Sequence, residues 1–252
     1  MSLTTGHGPL ARASAPSNFT LDGPAHKILF SPFPRRVRAF VGEQQVLDTD
    51  RAVLLHETGL LPQVYVPLED VRADVLGRTD HRTHCPFKGD ASYFTVAGSE
   101  NALWAYEDPL PEAAWLRGYA GAYFDRFDRW LDEDDEVHTH LRDPFHRVDA
   151  RPASRAVRVT AGDEVLAASR RAFVVSETGL PNRLYVPRED VRVELRASAT
   201  RTGCPYKGIA SYWSAGDRED VAWSYEAPLE AMARAAGHVS FDGDGVRSEL
   251  VG

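Results

Sequence analysis

A cysteine, a lysine and a glutamate that recur in both halves of the chain are the residues best suited to chemistry. The stretch Thr83–Tyr93 reads THCPFKGDASY, and residues 202–212 read TGCPYKGIASY. Both cysteines of the protein and two of its three lysines lie in this motif, although 26 of the 29 basic residues are arginines. A lysine ammonium is a compact charge and an arginine guanidinium is a planar fork, so the repeated lysine indicates a site shaped for an ammonium.

The repeated Cys-Pro-aromatic-Lys-Gly motif predicts a tight turn that leads into a strand. Proline fixes one φ angle, and Gly89 and Gly208 permit a positive φ or the close approach of a ligand. Free N–H groups of the turn, together with Lys88 or Lys207, would form a small nest for a carboxylate or phosphate. The alternative is a lysine that folds back onto main-chain carbonyls and caps the hairpin.

The cysteine has two possible roles. A thiol beside an ammonium can act as a nucleophile. A lone cysteine before a proline usually serves instead as a small apolar side chain. No matched histidine accompanies it, because His84 corresponds to Gly203 and His56 to Ser176.

Glu57 and Glu177 begin two identical Glu-Thr-Gly-Leu stretches. Each carboxylate could act as an acid or base, pair with the lysine, or accept backbone N–H bonds that hold the turn. The candidate catalytic residues are therefore Cys85, Lys88, Glu57, Cys204, Lys207 and Glu177.

Large aromatic residues also recur in both halves, at Tyr65, Tyr93, Trp104, Tyr106, Tyr185, Tyr212, Trp223 and Tyr225. Most are expected in the core, where large rings dominate packing, and one or two per unit are expected to line a pocket beside the lysine. The predicted ligand-binding residues are Lys88, Gly89, Tyr93, Trp104, Lys207, Gly208, Tyr212 and Trp223.

A metal site is not expected. His81 and His84 stand near Cys85, but the second repeat offers only Cys204, and the chain has no Cys-x-x-Cys pair. Three further histidines, His138, His140 and His146, fall in a segment expected to be a polar linker. The sequence therefore predicts neither a metal nor a cofactor.

The repeat sets the expected architecture. The stretch Glu57–Leu60 recurs at an offset of 120 residues, and from Cys85 onward the offset is 119. A period this long, present twice, indicates tandem domains. We expect a flexible tail over residues 1–24, a first domain over 25–131, an acidic linker over 132–146 and a second domain over 147–252.

Within each repeat, alternating apolar and polar residues predict a mainly β domain, either tent-like or barrel-like. One short helix is expected per repeat, over Pro111–Arg117 and Leu229–Ala236, with Gly118 and Gly237 in the capping position.

Charge and composition argue against several classes of function. The net charge of −8 and the pI near 5.6 argue against sequence-independent nucleic-acid binding, which relies on a basic face. No apolar run is long enough for a membrane span. One cysteine per half provides no disulfide framework, which favours a cytoplasmic protein. We expect a monomer whose two halves act as an internal pseudo-dimer.

The full repeated pattern resembles a bacterial and fungal domain family of unknown function that is sometimes labelled nucleotidyltransferase. It reads ETGL…YVP…EDV…TxCP[FY]KGxASY…WxYExP and covers nearly the whole chain beyond residue 30, in two copies. The resemblance implies a compact, mainly β fold, similar to the tent-like folds of zinc-binding and sulfoxide-reductase-like domains but without their zinc cysteines. The first copy departs from the pattern, since Leu61-Pro62 stands where Pro181 directly follows Leu180.

These observations favour a protein that binds a small anionic metabolite in a lysine, glycine and aromatic pocket of each repeat. The alternative is a transferase, nucleotidyltransferase-like, that uses the same cysteine, lysine and glutamate, although the chain has no P-loop and no Gly-Ser turn with spaced aspartates. A duplicated scaffold whose repeated residues only maintain the fold is a third possibility.

Overall fold

The computed structural model describes residues 25–252, which form two compact units that meet in the chain between Asp143 and Pro144. The expected N-terminal tail, residues 1–24, lies outside the described residues. Both units are built mainly from antiparallel strands. The prediction of a mainly β protein with two tandem units is therefore confirmed.

The first unit contains eleven strands, β1–β11, within the described residues. They are β1 Ile28–Pro32, β2 Val37–Val41, β3 Gln44–Thr49, β4 Val53–Glu57, β5 Gln63–Pro67, β6 Leu76–Cys85, β7 Gly89–Val96, β8 Ser99–Ala105, β9 Tyr119–Ala122, β10 Arg129–Asp132 and β11 Asp135–Val137. Short 3₁₀ segments cover Leu68–Asp70, Ala73–Val75, Pro111–Leu116 and Phe124–Arg126.

The second unit repeats this order with strands β12–β21. They are β12 Val148–Pro152, β13 Ala156–Ala161, β14 Glu164–Ser169, β15 Phe173–Glu177, β16 Leu180–Tyr185, β17 Arg196–Cys204, β18 Gly208–Ala215, β19 Arg218–Tyr225, β20 Val239–Phe241 and β21 Val246–Val251. Its 3₁₀ segments cover Arg188–Asp190 and Glu230–Ala235.

Two sheets enclose the main core of the first unit. One has the strand order β1-β4-β5-β9-β8-β7-β6 and the other β11-β10-β2-β3. Buried apolar side chains from both sheets, such as Val37, Leu54 and Trp130, belong to one cluster between them. The seven-stranded sheet ends at β1 and β6, which do not pair with each other. The sheet is thus open, and the barrel-like form of the fold expectation does not occur in the described residues.

The other face of the seven-stranded sheet carries an aromatic ladder. Five residues stand directly opposite one another across five strands, in the order Val53, Tyr65, Gly121, Trp104 and Tyr93. Side chains alternate between faces along a strand, so Glu57, four residues after Val53, belongs to this same face. The 3₁₀ segment Pro111–Leu116 covers the ladder and buries Ala113 and Leu116 against it.

The second unit has the same ladder with a different division of sheets. Its rungs are Phe173, Tyr185, Ser240, Trp223 and Tyr212. The sheets are β12-β15-β16 and β17-β18-β19-β20, joined by a single bridge between Val186 and Val239, and a third sheet has the order β14-β13-β21.

Two local expectations are refined by the structure. The expected helices are 3₁₀ segments, each followed by a glycine of positive φ, Gly118 at 84° and Gly237 at 67°. Part of the expected acidic linker is strand: β10 pairs with β2, and Asp132 accepts a hydrogen bond of 2.6 Å from Arg35 Nε. Residues 132–137 therefore belong to the first unit. Within residues 25–252, no helix has the length and apolar character that a membrane crossing requires.

Replacing Gly121 by alanine should destabilise the first unit. An added Cβ would stand 2.4 Å from Trp104 Cε2, so the indole would have to move, whereas a Cβ at Gly77 meets no atom within 4 Å. Overpacking of this kind costs about 1–3 kcal/mol in the free energy of unfolding. Urea unfolding of Gly121→Ala and of the matched control Gly77→Ala checks this, and equal midpoints for the two variants would contradict it.

Candidate functional site

A glutamate bound by a lysine and a histidine lies at the end of the aromatic face. Glu57 Oε2 accepts a hydrogen bond of 2.6 Å from Lys88 Nζ, and Glu57 Oε1 lies 2.8 Å from His26 Nε2. The side chains of Lys88, Glu57 and His26 are only 8%, 10% and 14% exposed. We call this set, and its counterpart in the second unit, the His–Glu–Lys cluster.

The second unit builds the same cluster from equivalent residues. Lys207 Nζ donates to Glu177 Oε2, and Glu177 Oε1 lies 3.0 Å from His146 Nε2. In both units the histidine stacks on the aromatic residue of the repeated motif. The ring centroids are 3.9 Å apart for His26 and Phe87 and 4.2 Å apart for His146 and Tyr206.

The repeated motif forms the predicted turn, and this turn places the lysine. Lys88 N donates to Cys85 O at 3.3 Å, so this N–H is used inside the turn. Gly89 has φ +102°, and a Cβ there would meet Leu110 N at 3.4 Å. Gly208 has a φ of +103°, and a Cβ there would lie 3.3 Å from Ala227 O. Both glycines are thus explained by the turn and by the close approach of the chain's own backbone.

The threonine of the Glu-Thr-Gly-Leu stretch positions the histidine. Thr58 Oγ1 accepts a hydrogen bond of 2.9 Å from Lys27 N, and Thr58 N donates to Lys27 O at 3.0 Å. Thr178 makes the same two contacts with Arg147. Each threonine therefore fixes the chain directly after the histidine against the strand that ends in the glutamate.

The cluster joins parts of the sheet that are far apart in strand order. Glu57 ends β4 and Lys88 precedes β7, and three strands lie between β4 and β7. In a flat sheet these two strands would be about 19 Å apart, from four spacings of about 4.8 Å. Because Lys88 Nζ and Glu57 Oε2 are 2.6 Å apart, the sheet must curl around the aromatic face.

The electrostatics favour an ionised carboxylate in the second unit. Burial alone raises the pKa of Glu177, but the hydrogen bond with His146 and the charge of Lys207 outweigh it and hold this pKa below the ordinary 4.5. Burial also raises the pKa values of Tyr65, Tyr106, Tyr185 and Tyr225, so these phenols stay protonated at neutral pH.

The remaining predicted site residues lie on the same face of the sheet. Tyr93 is buried and its hydroxyl is 3.0 Å from Thr83 Oγ1, while Trp104 Nε1 donates to the Tyr65 hydroxyl at 3.1 Å. Cys85 is partly buried and packs against the apolar side chains around Tyr65 and Tyr93. In the second unit, the Tyr212 hydroxyl is 3.1 Å from Thr202 Oγ1, Trp223 Nε1 donates to the Tyr185 hydroxyl at 2.9 Å, and Cys204 is partly buried.

Sequence reasoning missed the two histidines. It compared the cysteine with His84 and His56, and it placed His146 in the linker. The missed signal was the offset itself, because His26 and His146 are 120 residues apart, as are Glu57 and Glu177. Within residues 25–252, no three histidine, cysteine or acidic side chains converge as a metal site would require.

The Glu177 pKa predicts a specific loss of stability in acid. Because the folded pKa lies below 4.5, the stabilisation is complete above that pH and disappears as the pH falls through the folded value. At neutral pH, Glu177→Gln should cost about 3–5 kcal/mol, since it leaves a buried ammonium without its counter-charge. Unfolding by urea at several pH values should show this difference shrink in acid. The exposed Glu219→Gln is the matched control, and a pH-independent difference for Glu177→Gln would contradict the account.

Comparison with known proteins identifies the family of both repeats. No curated protein matches it. A family model described as "Domain of unknown function (DUF427)", with the short label NTP_transf_9, matches residues 29–133 and again residues 149–252. Each match contains one complete glutamate, cysteine and lysine set, which agrees with the resemblance seen in the sequence. The protein therefore belongs to the DUF427 family and carries two copies of its domain in tandem.

Proposed function

We propose that each unit binds a small anionic metabolite at its His–Glu–Lys cluster. The observation that carries the proposal is the buried ammonium. An ammonium has three N–H donors. Within the described residues, Lys88 Nζ donates one hydrogen bond, to Glu57 Oε2. Lys207 does the same with Glu177. The remaining donors suit a carboxylate or phosphate that approaches the cluster.

The charge of the cluster supports an anion rather than a cation. Each cluster contains one ammonium, one carboxylate and one imidazole, so the carboxylate is already matched by the lysine. An anion that joins the cluster gains hydrogen bonds from an ionised donor, which are stronger than those from neutral groups. A cation would instead compete with the lysine for the glutamate.

The aromatic residues indicate that the ligand has a planar or apolar part. Phe87 stacks on His26 with one face and is 43% exposed. Trp104 and the partly exposed Tyr123 lie 4.5 Å apart between ring centroids on the aromatic face. Burial and the Tyr93 hydroxyl raise the pKa of Tyr123 to about 12, so it remains a neutral hydrogen-bonding group. Rings with a polar tip are typical linings of small-molecule sites.

Binding of 4-fluorobenzoate, a planar carboxylate, tests the proposal through ¹⁹F line broadening. Each of Lys88→Met and Lys207→Met should weaken binding, and the double variant should abolish it, because the ammonium donors are gone. Lys27→Met is the matched control, since Lys27 is exposed and outside the cluster. Phe87→Ala removes the exposed ring without touching a charge and should weaken binding about tenfold. Unchanged broadening in a folded double variant and in Phe87→Ala would contradict the proposal. The His–Glu–Lys cluster would then have only a structural role.

A transferase reaction is the second candidate, and one observation favours it. Cys85 packs in the same apolar cluster as Tyr65 and Tyr106, and Lys88, three residues after Cys85, binds Glu57. A thiol, a carboxylate and an ammonium thus share one face. Incubation with ATP, followed by ³¹P NMR for released diphosphate and by mass spectrometry for an adduct on Cys85, separates the two functions. A transferase releases diphosphate, and a binding protein returns ATP and an unmodified chain.

A further inference from the structure

The second unit has a groove that is distinct from the His–Glu–Lys cluster. It has a volume of about 390 Å³ and lies over the sheet β14-β13-β21, with Arg158, Arg170 and Arg192 among its nine lining residues. No acidic residue lines it. The lining also contains the apolar residues Ala156, Val157, Val165, Ala168 and Val251. We propose that this groove binds a small phosphorylated metabolite through the three arginines.

No carboxylate is bound to the three arginines of the groove in the described residues. Within residues 25–252, the guanidinium groups of Arg158, Arg170 and Arg192 form no ion pair. Two carboxylates stand nearby in the chain: Glu249 is the cross-strand neighbour of Arg158, and Glu194 is two residues from Arg192. Neither forms an ion pair with these arginines. Three like charges around one hollow repel one another, and a multivalent anion relieves that repulsion.

The groove lies at positions where the first unit has an ion pair. There, Arg36 and Asp48 form a two-pronged pair across β2 and β3, with 2.7 Å between Nε and Oδ1. The equivalent residues of the second unit are Ala156 and Ala168. Two small side chains therefore replace an ion pair, which opens the hollow and removes a carboxylate from it.

The charges at neighbouring positions also differ between the two units. In the first unit Arg38 Nη2 donates to Asp134 at 2.7 Å, and Arg72 Nε donates to Asp74 at 3.0 Å. In the second unit the strand that pairs with β13 ends in Val251, at the position that Glu133 has in the first unit. Asp50 of the first unit corresponds to Arg170. The exchanges of Glu133 for Val251 and of Asp50 for Arg170 make this part of the second unit more positive, whereas Glu249 adds a carboxylate at the position of Leu131.

The ligand class follows from the shape and the charge. A guanidinium presents paired N–H donors that match the oxygens of a phosphate. A volume of about 390 Å³ is near the lower end of small-molecule pockets. The apolar lining residues suit a carbon framework attached to the phosphate. The chain as a whole has a net charge of −8, so the groove is a local basic site in an acidic protein.

Titration with phenyl phosphate, followed by ³¹P NMR and by backbone amide shifts, tests the site. Ala168→Asp restores the carboxylate that the first unit has at Asp48 and should weaken binding about tenfold or more. Arg158→Gln should weaken it to a similar degree. The amide shifts should centre on Ala168 and Val251, and raised salt should weaken binding because the arginines are exposed.

Two controls separate this site from the others. Arg38→Gln changes the equivalent arginine of the first unit and should leave the affinity unchanged. The double variant Lys88→Met/Lys207→Met should leave unchanged the affinity that the Ala168 and Val251 amides report, because these amides follow the groove and not the His–Glu–Lys clusters. A failure of the proposed ligand site would therefore not affect this result. The inference is overturned if wild type shows no saturable binding, if Ala168→Asp and Arg158→Gln bind as wild type does, or if the lysine variant abolishes binding.

Discussion

The contact between a buried lysine and a buried glutamate is the constraint on which the rest of each unit depends. In the first unit it joins the turn before β7 to the end of β4, and these two strands are four places apart in one sheet. Without this contact, the lysine ammonium and the glutamate carboxylate would both be buried without a counter-charge. An isolated buried charge strongly destabilises a fold. The sheet curls so that this contact can form. The aromatic ladder lies on the inner face of the curl, and the 3₁₀ segment covers the ladder.

The surrounding residues make the contact possible in each unit. Gly89 supplies the backbone angle that brings Lys88 inward, and Thr58 ties down the chain that carries His26. His26 Nε2 then contacts the second carboxylate oxygen, Glu57 Oε1. This arrangement explains why lysine recurs in a chain that otherwise uses arginine: one compact ammonium fits beside one carboxylate oxygen, whereas a planar fork would engage both oxygens and displace the histidine.

Much of the fold could be predicted from the sequence, because the repeat and the strand alternation are local signals. The turn at Cys85–Gly89 followed from its proline and glycine, and the tandem organisation followed from a single offset. The open sheet could not be predicted, since strand order depends on contacts between distant segments. The partnership of Lys88 with Glu57 was one of several alternatives for the glutamate, and only the curl of the sheet selects it. His26 was missed because the comparison of the repeats began at Glu57, although the same offset links it to His146.

The two copies have kept one site and changed another. The His–Glu–Lys cluster is the same in both units, whereas the face with Arg36 and Asp48 in the first unit has become a basic groove in the second. The central claim concerns the retained cluster. The chain has three lysines, so an NMR spectrum of the lysine ammonium groups tests it directly. The account predicts slowly exchanging Nζ protons for Lys88 and Lys207, which shift when 4-fluorobenzoate is added, and a fast-exchanging, unshifted signal for Lys27. Three signals with the same exchange rate and no response to the carboxylate would contradict it.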